Sequence, residues 1–415
     1  MEAIVLFMTV DLFCAMPSTP VDRAKAEIDA SDELTLLERQ EVAGHVTQEW
    51  ENIEWERKSM LVNESRVDRL RLVSEYQTYQ MILDEHFKYL DPNERLAGIE
   101  SLAFITPWND FGYTMAQRFQ NKFDYLCPVW FELKLALKSG KLSMALRGTH
   151  LINDEWASNF TTKVYPRVLV DIDAKHSFKI WKHVISNAKI QNGVVNKLLK
   201  ICKERSYRGL AIELWLAWYT LGISGTTDTQ KLRDGLNSFV NRLGAAFTSA
   251  DLKLMLIVPP QRSEEYFSAT DFKSIAKSVH KVIVMTTDFS GERPGPSAPL
   301  GWQMRAVEKL CNESELRKKL MLTVAFEGHH LRGKQKSELP GKKFVELLSK
   351  HKPTIKWDSK SEEHVAVFKA DGATNLLNYP TLLSLTRRIA IAQQLGVGLA
   401  VWDVGQGLNY FFDLL

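Results

Sequence analysis

The feature that most restricts the fold is a regular beat of short apolar runs separated by amphipathic stretches. Runs rich in branched and aromatic residues occupy positions 101–106, 125–130, 164–170, 209–215, 252–258, 281–287, 320–326 and 397–402. Between most of them lie stretches with apolar residues at helical spacing, at 178–203, 229–243, 271–280, 302–311 and 381–395. A strand that is apolar along most of its length must be covered on both faces, and strands alternating with helices imply a parallel sheet. Eight such units predict an α/β chain folded as a (β/α)8 TIM barrel, in which reactive groups gather at the C-terminal ends of the strands. An open doubly wound sheet is the other arrangement, but it usually announces itself with a glycine-rich turn after its first strand. Here Thr106 is followed by Pro107-Trp108-Asn109, and the barrel is preferred.

Two segments stand outside the beat. Between the seventh and eighth strands, residues 327–380 hold three strand-like pieces, at 353–357, 364–368 and 375–379, with a turn signal at Asp371-Gly372. This predicts a small β-rich insertion that would deepen a cleft at the barrel mouth. Upstream, residues 21–95 are highly charged and carry loose helical spacing at 35–48 and 66–86, which predicts an N-terminal helical extension. The turn Asp91-Pro92-Asn93-Glu94 marks its end, and the barrel domain is expected over 96–415. Residues 1–20 read as a signal peptide: the apolar run from Ala3 to Met16 ends in small residues and Pro17, although no basic region precedes it and Asp11 interrupts it.

Composition excludes several classes. A net charge of +3 without a long basic run argues against nucleic acid. No later stretch is apolar and long enough to span a bilayer. Sequons at Asn63, Asn159 and Asn312 suit a secreted or lumenal glycoprotein. Cys14, Cys127, Cys202 and Cys311 show neither disulfide nor metal spacing and are expected as buried free thiols, with Cys14 lost if the leader is cleaved. The adjacent His329-His330 lacks ligand spacing, so no metal and no cofactor is expected.

The strand ends read together as a site. They carry Trp108, Trp130, Asp171, Trp215, Asp288, Glu327 and Trp402. Any one tryptophan among eleven is more often core than platform. Indoles and carboxylates gathered at one mouth, however, are what an oligosaccharide needs: apolar faces for the sugar ring and acceptors for its hydroxyls. Within 209–215, Glu213 is an acid in an apolar run. Strand alternation places it on one face with Ala211 and Trp215. A carboxylate so enclosed requires a partner, so Glu213 is expected to tie neighbouring strands inside the barrel.

The segments Ser101 through Asn109, Met285-Thr286-Thr287-Asp288, Phe326-Glu327-Gly328 and Val401-Trp402-Asp403 resemble the first, sixth, seventh and eighth strands of family 18 glycoside hydrolases, the chitinase fold. In that family the fourth strand carries Asp-x-x-Asp-x-Asp-x-Glu, ending in the general acid. The resemblance lays Arg208, Ala211, Glu213 and Trp215 on those four places. The family mechanism protonates the leaving oxygen from that last carboxyl while the substrate's N-acetyl group attacks. Trp215 has no such proton, and Glu213 lies one inward step deeper, about 6.5 Å along an ideal strand. The family tyrosines near Met285 and after Phe326 are replaced by Thr287 and Glu327. The resemblance therefore implies a chitinase-like lectin for N-acetylglucosamine-type glycans that does not hydrolyse them. Trp108, Trp130, Trp215 and Trp402 are the expected platforms, and Asp288 and Glu327 the acceptors. It also implies secretion or lysosomal traffic, a stabilin-like scavenger receptor as sorting partner, and lipopolysaccharide among the ligands. The alternatives are a weak glycosidase using Glu213, Asp288 or Glu327, or a protein-interaction scaffold.

Overall fold

Alternating inward and outward side chains organise the strands into a closed barrel. A computed structural model describes residues 72–138, 141–160, 163–220, 229–260, 267–291 and 293–415. The strands run β1 (Ser101–Ile105), β2 (Tyr125–Lys138), β3 (Lys141–Arg147), β4 (Arg167–Ile172), β5 (Gly209–Ile212), β6 (Lys253–Val258), β7 (Lys281–Val284) and β8 (Leu320–Ala325). Then come β9 (Gly328–Arg332), β10 (Gln335–Leu339), β11 (Thr354–Asp358), β12 (Glu363–Ala370), β13 (Ala373–Asn378) and β14 (Gly398–Trp402). Eight of these are parallel neighbours in the order β1-β14-β8-β7-β6-β5-β4-β2, and β1 pairs with β2 to close the ring. This is the expected (β/α)8 barrel. Leu102, Phe104, Cys127, Ala211, Met255 and Ile257 fill its interior, while the alternate residues pack outward against the helices.

The insertion between the seventh and eighth barrel strands is an antiparallel sheet in the order β10-β9-β13-β12-β11. All three pieces expected there are strands. Two more, β9 and β10, and a helix at Gly341–His351 were not anticipated. Nor was the length of β2, whose register shifts between Val129 and Phe131 and which then runs on beyond the barrel as a hairpin with β3.

Local chemistry explains where the elements stop. The helix expected over 178–203 is two, Ser177–Ser186 and Ala188–Arg205. The Asn187 side chain accepts from the Lys189 and Ile190 amides and so starts the second helix. The third barrel strand begins at Arg167 rather than 164, because Pro166 offers no amide to the ladder. The stretch expected as one strand over 209–215 ends at Ile212, and a helix, Leu214–Thr220, takes over. An apolar run of this length does not distinguish a strand from a buried helix by its pattern alone.

Of the N-terminal extension, the helix Tyr79–Glu85 lies within the expected 66–86. The Leu90 amide donates to Asp413 at 2.9 Å, and the Glu75 carbonyl meets His364 Nε2 at 3.0 Å, tying this stretch to the body. The expected signal peptide, Cys14, the helix at 35–48 and Asn63 lie outside the described residues. Asn159 and Asn312 are exposed, and Cys127, Cys202 and Cys311 are buried free thiols. Among the described residues no helix is long and apolar enough to cross a membrane.

Candidate functional site

The floor of the mouth is built from β14 and its neighbours. Trp402 is the last residue of β14 and is partly exposed. The Arg167 guanidinium, at the start of β4, lies 4.7 Å from the centre of its ring, and Phe104 meets it edge-on at 5.2 Å. Arg167 is itself buried and is hydrogen-bonded through Nε to the Glu213 carboxylate. Ala211 sits opposite Arg167 in the ladder, so Glu213, just past the end of β5, reaches Arg167 diagonally. Glu213 is thus bonded to the first residue of the neighbouring strand β4. Its partner was not anticipated, although an arginine opening β4 was the available signal.

Three carboxyl groups gather near Trp402. Glu327 follows β8, and its Oε1 accepts from the Trp402 indole N–H at 3.0 Å. Burial, with Asp403, Glu338 and Asp288 nearby, pushes this carboxyl up to about 8, against the opposing effect of the indole donor. Glu327 retains partial exposure as a residue, so it meets solvent as well as protein. Asp403 is fully enclosed. It accepts from the Thr106 hydroxyl, from the Gly405 amide at 2.7 Å and from Asn109 Nδ2 at 3.4 Å. Burial pushes it to about 6 against those donors. An acid directly after an apolar strand end is the sequence signal for Asp403. Asp288 is ion-paired with Lys336 of β10 at 3.1 Å, so the insertion reaches the mouth.

Around the rim, Asp171 at the far end of β4 is paired with Lys134 of the β2 extension. Neighbouring Glu132 is raised by burial and by Asp171. Trp108, just past β1, is 47% exposed and free to present a ring face.

Two of the expected platforms do not face the mouth. Trp130 is 1% exposed: its N–H donates to the Tyr113 hydroxyl at 2.6 Å, and its ring packs against Trp156 and Tyr207 in the layer outside the barrel. The register shift in β2 falls at this residue. Trp215 lies in the first turn of the helix Leu214–Thr220 rather than on the strand, and it has no exposed surface. Its indole donates to Asn237 at 3.3 Å and packs on Trp218, Phe267 and the Arg233 guanidinium. The expectation that Trp215 shares a face with Ala211 and Glu213 therefore fails, because the strand stops at Ile212, three residues earlier.

His330 is bonded to Asn375 at 2.8 Å, and burial, with Lys336 close by, pushes His329 down to about 4. Among the described residues no cluster of three or more His, Cys, Asp or Glu could hold a metal ion.

The barrel is similar to solved chitinases. A chitinase from Chromobacterium violaceum aligns with a TM-score of 0.63 at 16% identity, over 76% of this chain and 98% of that one. A class V enzyme of the same kind from Pseudomonas fluorescens gives 0.62 at 20% identity, over 77% and 98%. YKL-39, solved in the presence of chitooligosaccharides (GlcNAc4), gives 0.57 at 12% identity, over 76% and 98%. These likenesses establish the fold. The profile of glycosyl hydrolases family 18 matches residues 154–407, most of the chain, and the protein belongs to that family.

Proposed function

We propose that this protein is a chitinase-like lectin that holds N-acetylglucosamine-type oligosaccharides in the barrel mouth without cleaving them. The observation that carries this reading is the fate of the family's acid position. The resemblance lays Trp215 there, and the Trp215 side chain is packed into the layer outside the barrel. Glu213, the nearest acid in sequence, is enclosed and held by Arg167. Meanwhile the mouth keeps a partly exposed indole, Trp402, flanked by Glu327 and Asp403, with Trp108 and Asp288 on the rim. These are the groups that a sugar's apolar face and hydroxyls require. The ligand class is further supported by YKL-39, which was solved in the presence of chitooligosaccharides.

Calorimetric titration with chitotetraose, run beside a chromogenic chitooligosaccharide assay, tests the reading. Saturable heat without turnover is expected. Neither heat nor a change in tryptophan fluorescence would point instead to a protein-interaction scaffold.

One observation favours a second reading. A carboxyl raised to about 8 is protonated at neutral pH, and Glu327 is such a group beside the floor indole. Weak glycosidase activity with Glu327 as acid would appear as slow turnover abolished by Glu327→Gln.

Likeness in further segments supports a narrower assignment. Thr106-Pro107-Trp108-Asn109, Pro128-Val129-Trp130, Val258-Pro259-Pro260, Tyr379-Pro380-Thr381-Leu382 and the tail from Gly405 to Leu415 resemble chitinase domain-containing protein 1, the stabilin-interacting chitinase-like protein. On that likeness we infer a secreted or lysosomal glycoprotein with a stabilin-like scavenger receptor as sorting partner and lipopolysaccharide as a further ligand. Co-precipitation with the receptor's ectodomain tests the partner.

A further inference from the structure

The opposite end of the barrel has its own chemistry. Four cationic residues stand where four consecutive strands begin: Arg208 just before β5, Lys253 opening β6, Lys281 opening β7 and Lys319 just before β8. Adjacent strands lie about 4.8 Å apart, so such a row spans roughly 14 Å. A cleft of ≈ 530 Å³ opens there, lined among others by Tyr165, Arg208, Lys253, Lys277, His280 and Lys319.

The charges in this cleft are poorly balanced. Lys281 is committed to Glu100 and to the Lys318 carbonyl, and Lys319 Nζ donates to the Val279 carbonyl at 2.6 Å. No carboxylate pairs with Arg208, Lys253 or Lys277 among the described residues, and Asp251 is the one acid in the lining. The imbalance is felt by His280, which burial and then Lys253, Lys281 and Lys319 push down to about 4 against the pull of Glu100. Lys319 is likewise lowered by burial and by Lys281. Neutral donors complete the lining: the Thr248 and Ser278 hydroxyls, and the Tyr165 phenol, which burial pushes to about 12.

We propose that this N-terminal cleft is a second binding site, which takes a tetrahedral oxyanion carried by a phosphate or sulfate ester. Convergent cations with hydroxyl donors suit such a group because charge-assisted hydrogen bonds to its oxygens are short and strong. The site lies at the end of the barrel away from Trp402, so its occupancy is independent of a saccharide in the mouth.

Sodium phosphate and sodium sulfate, each compared with sodium chloride at matched ionic strength, serve as probes of the full chain. A ligand bound only by the folded state raises the unfolding midpoint with concentration. The expected result is a saturable rise with phosphate, sulfate or both, and none with chloride. A response to phosphate alone assigns the natural ligand as a phosphate ester, and a response to sulfate alone a sulfate ester. The exposed pair Lys253→Glu and Lys277→Glu should weaken the anion's apparent Kd by about tenfold or more, as expected for lost charge-assisted contacts. Lys253→Gln and Lys277→Gln replace them if circular dichroism shows the first variant unfolded. Chitotetraose titration should be the same in either variant. Midpoints that respond equally to all three salts, or a folded variant with unchanged anion affinity, overturn the proposal.

Discussion

The indole of Trp402 and the carboxyl of Glu327 are bonded to one another at 3.0 Å, the N–H donating to Oε1. The donor holds the carboxyl lower than burial alone would leave it, and the acceptor fixes the plane of the ring. The Arg167 guanidinium lies against that ring at 4.7 Å and is bonded through Nε to Glu213.

Removing the ring should cost binding. Trp402→Ala is expected to weaken chitotetraose affinity by about 1–3 kcal/mol, by analogy with aromatic platforms for other flat ligands. Trp402→Phe keeps a ring but deletes the N–H, so it should retain part of the affinity while the Glu327 pKa rises further. Calorimetry measures the first effect. Carboxyl titration followed by infrared difference spectroscopy measures the second. Equal affinity in wild type and Trp402→Ala would remove Trp402 from the site.

The acid–base behaviour of Glu327 makes stability depend on pH in a definite direction. Its carboxyl is raised from an ordinary value near 4.5 to about 8, so between these values the folded state holds a proton that the unfolded chain has released. Folding then takes up a proton, and stability falls as pH rises through this window. Asp403, raised to about 6, adds a decline of the same sign over the lower part. Urea unfolding should show this loss between pH 6.5 and 8, above the range in which the lowered histidines His280 and His329 contribute a rise of opposite sign. In Glu327→Gln the decline between pH 6.5 and 8 should flatten. A slope unchanged by that substitution would mean the carboxyl titrates normally.

Most of the architecture was legible because burial on both faces leaves its mark on every barrel strand. The runs at 252–258 and 320–326 could be read almost to the residue, since nothing in them competes with the strand. The run at 209–215 was misread at its end for the same reason: Leu214, Trp215 and Leu216 are buried in either state, and pattern alone did not separate the two. That three-residue difference turned Trp215 from the mouth to the outer layer. Trp130 was misplaced by the register shift in β2, a backbone irregularity that alternation does not announce. That Glu213 needs a partner follows from burial of a carboxylate, whereas Arg167 as that partner could be found only by knowing which strands adjoin.

The buried pair beneath the floor should be costly to break on one side. Glu213→Gln or Glu213→Ala leaves the Arg167 charge enclosed and without its carboxylate, and removing one member of a buried ion pair costs about 3–5 kcal/mol. Replacing both, with Arg167→Met and Glu213→Leu, should recover much of that loss, since an apolar pair of similar volume is often tolerated. Chemical denaturation of Arg167→Met, Glu213→Leu and the double variant, set against wild type, forms a cycle that isolates the coupling. Chitotetraose affinity should still fall in the double variant, because Trp402 loses the cation beneath it. Full affinity there would show that the ring keeps its position without Arg167.

Restoring the family's acid at its sequence position should fail to restore chemistry. In Trp215→Glu the new carboxylate would enter a layer occupied by Trp218, Phe267, Asn237 and Arg233, with Asp271 bound to both of the last two. Arg233 is already engaged by Asp271, so the second acid would meet like charge with little water to screen it. Losing the buried indole alone costs about 3–5 kcal/mol, as for other large-to-small changes in a core. The variant should therefore unfold at lower denaturant and show no turnover of chromogenic chitooligosaccharide, while chitotetraose binding persists under conditions where it remains folded. Turnover by Trp215→Glu would mean that this position reaches the mouth after all, with the backbone at 213–216 continuing as strand when substrate is present.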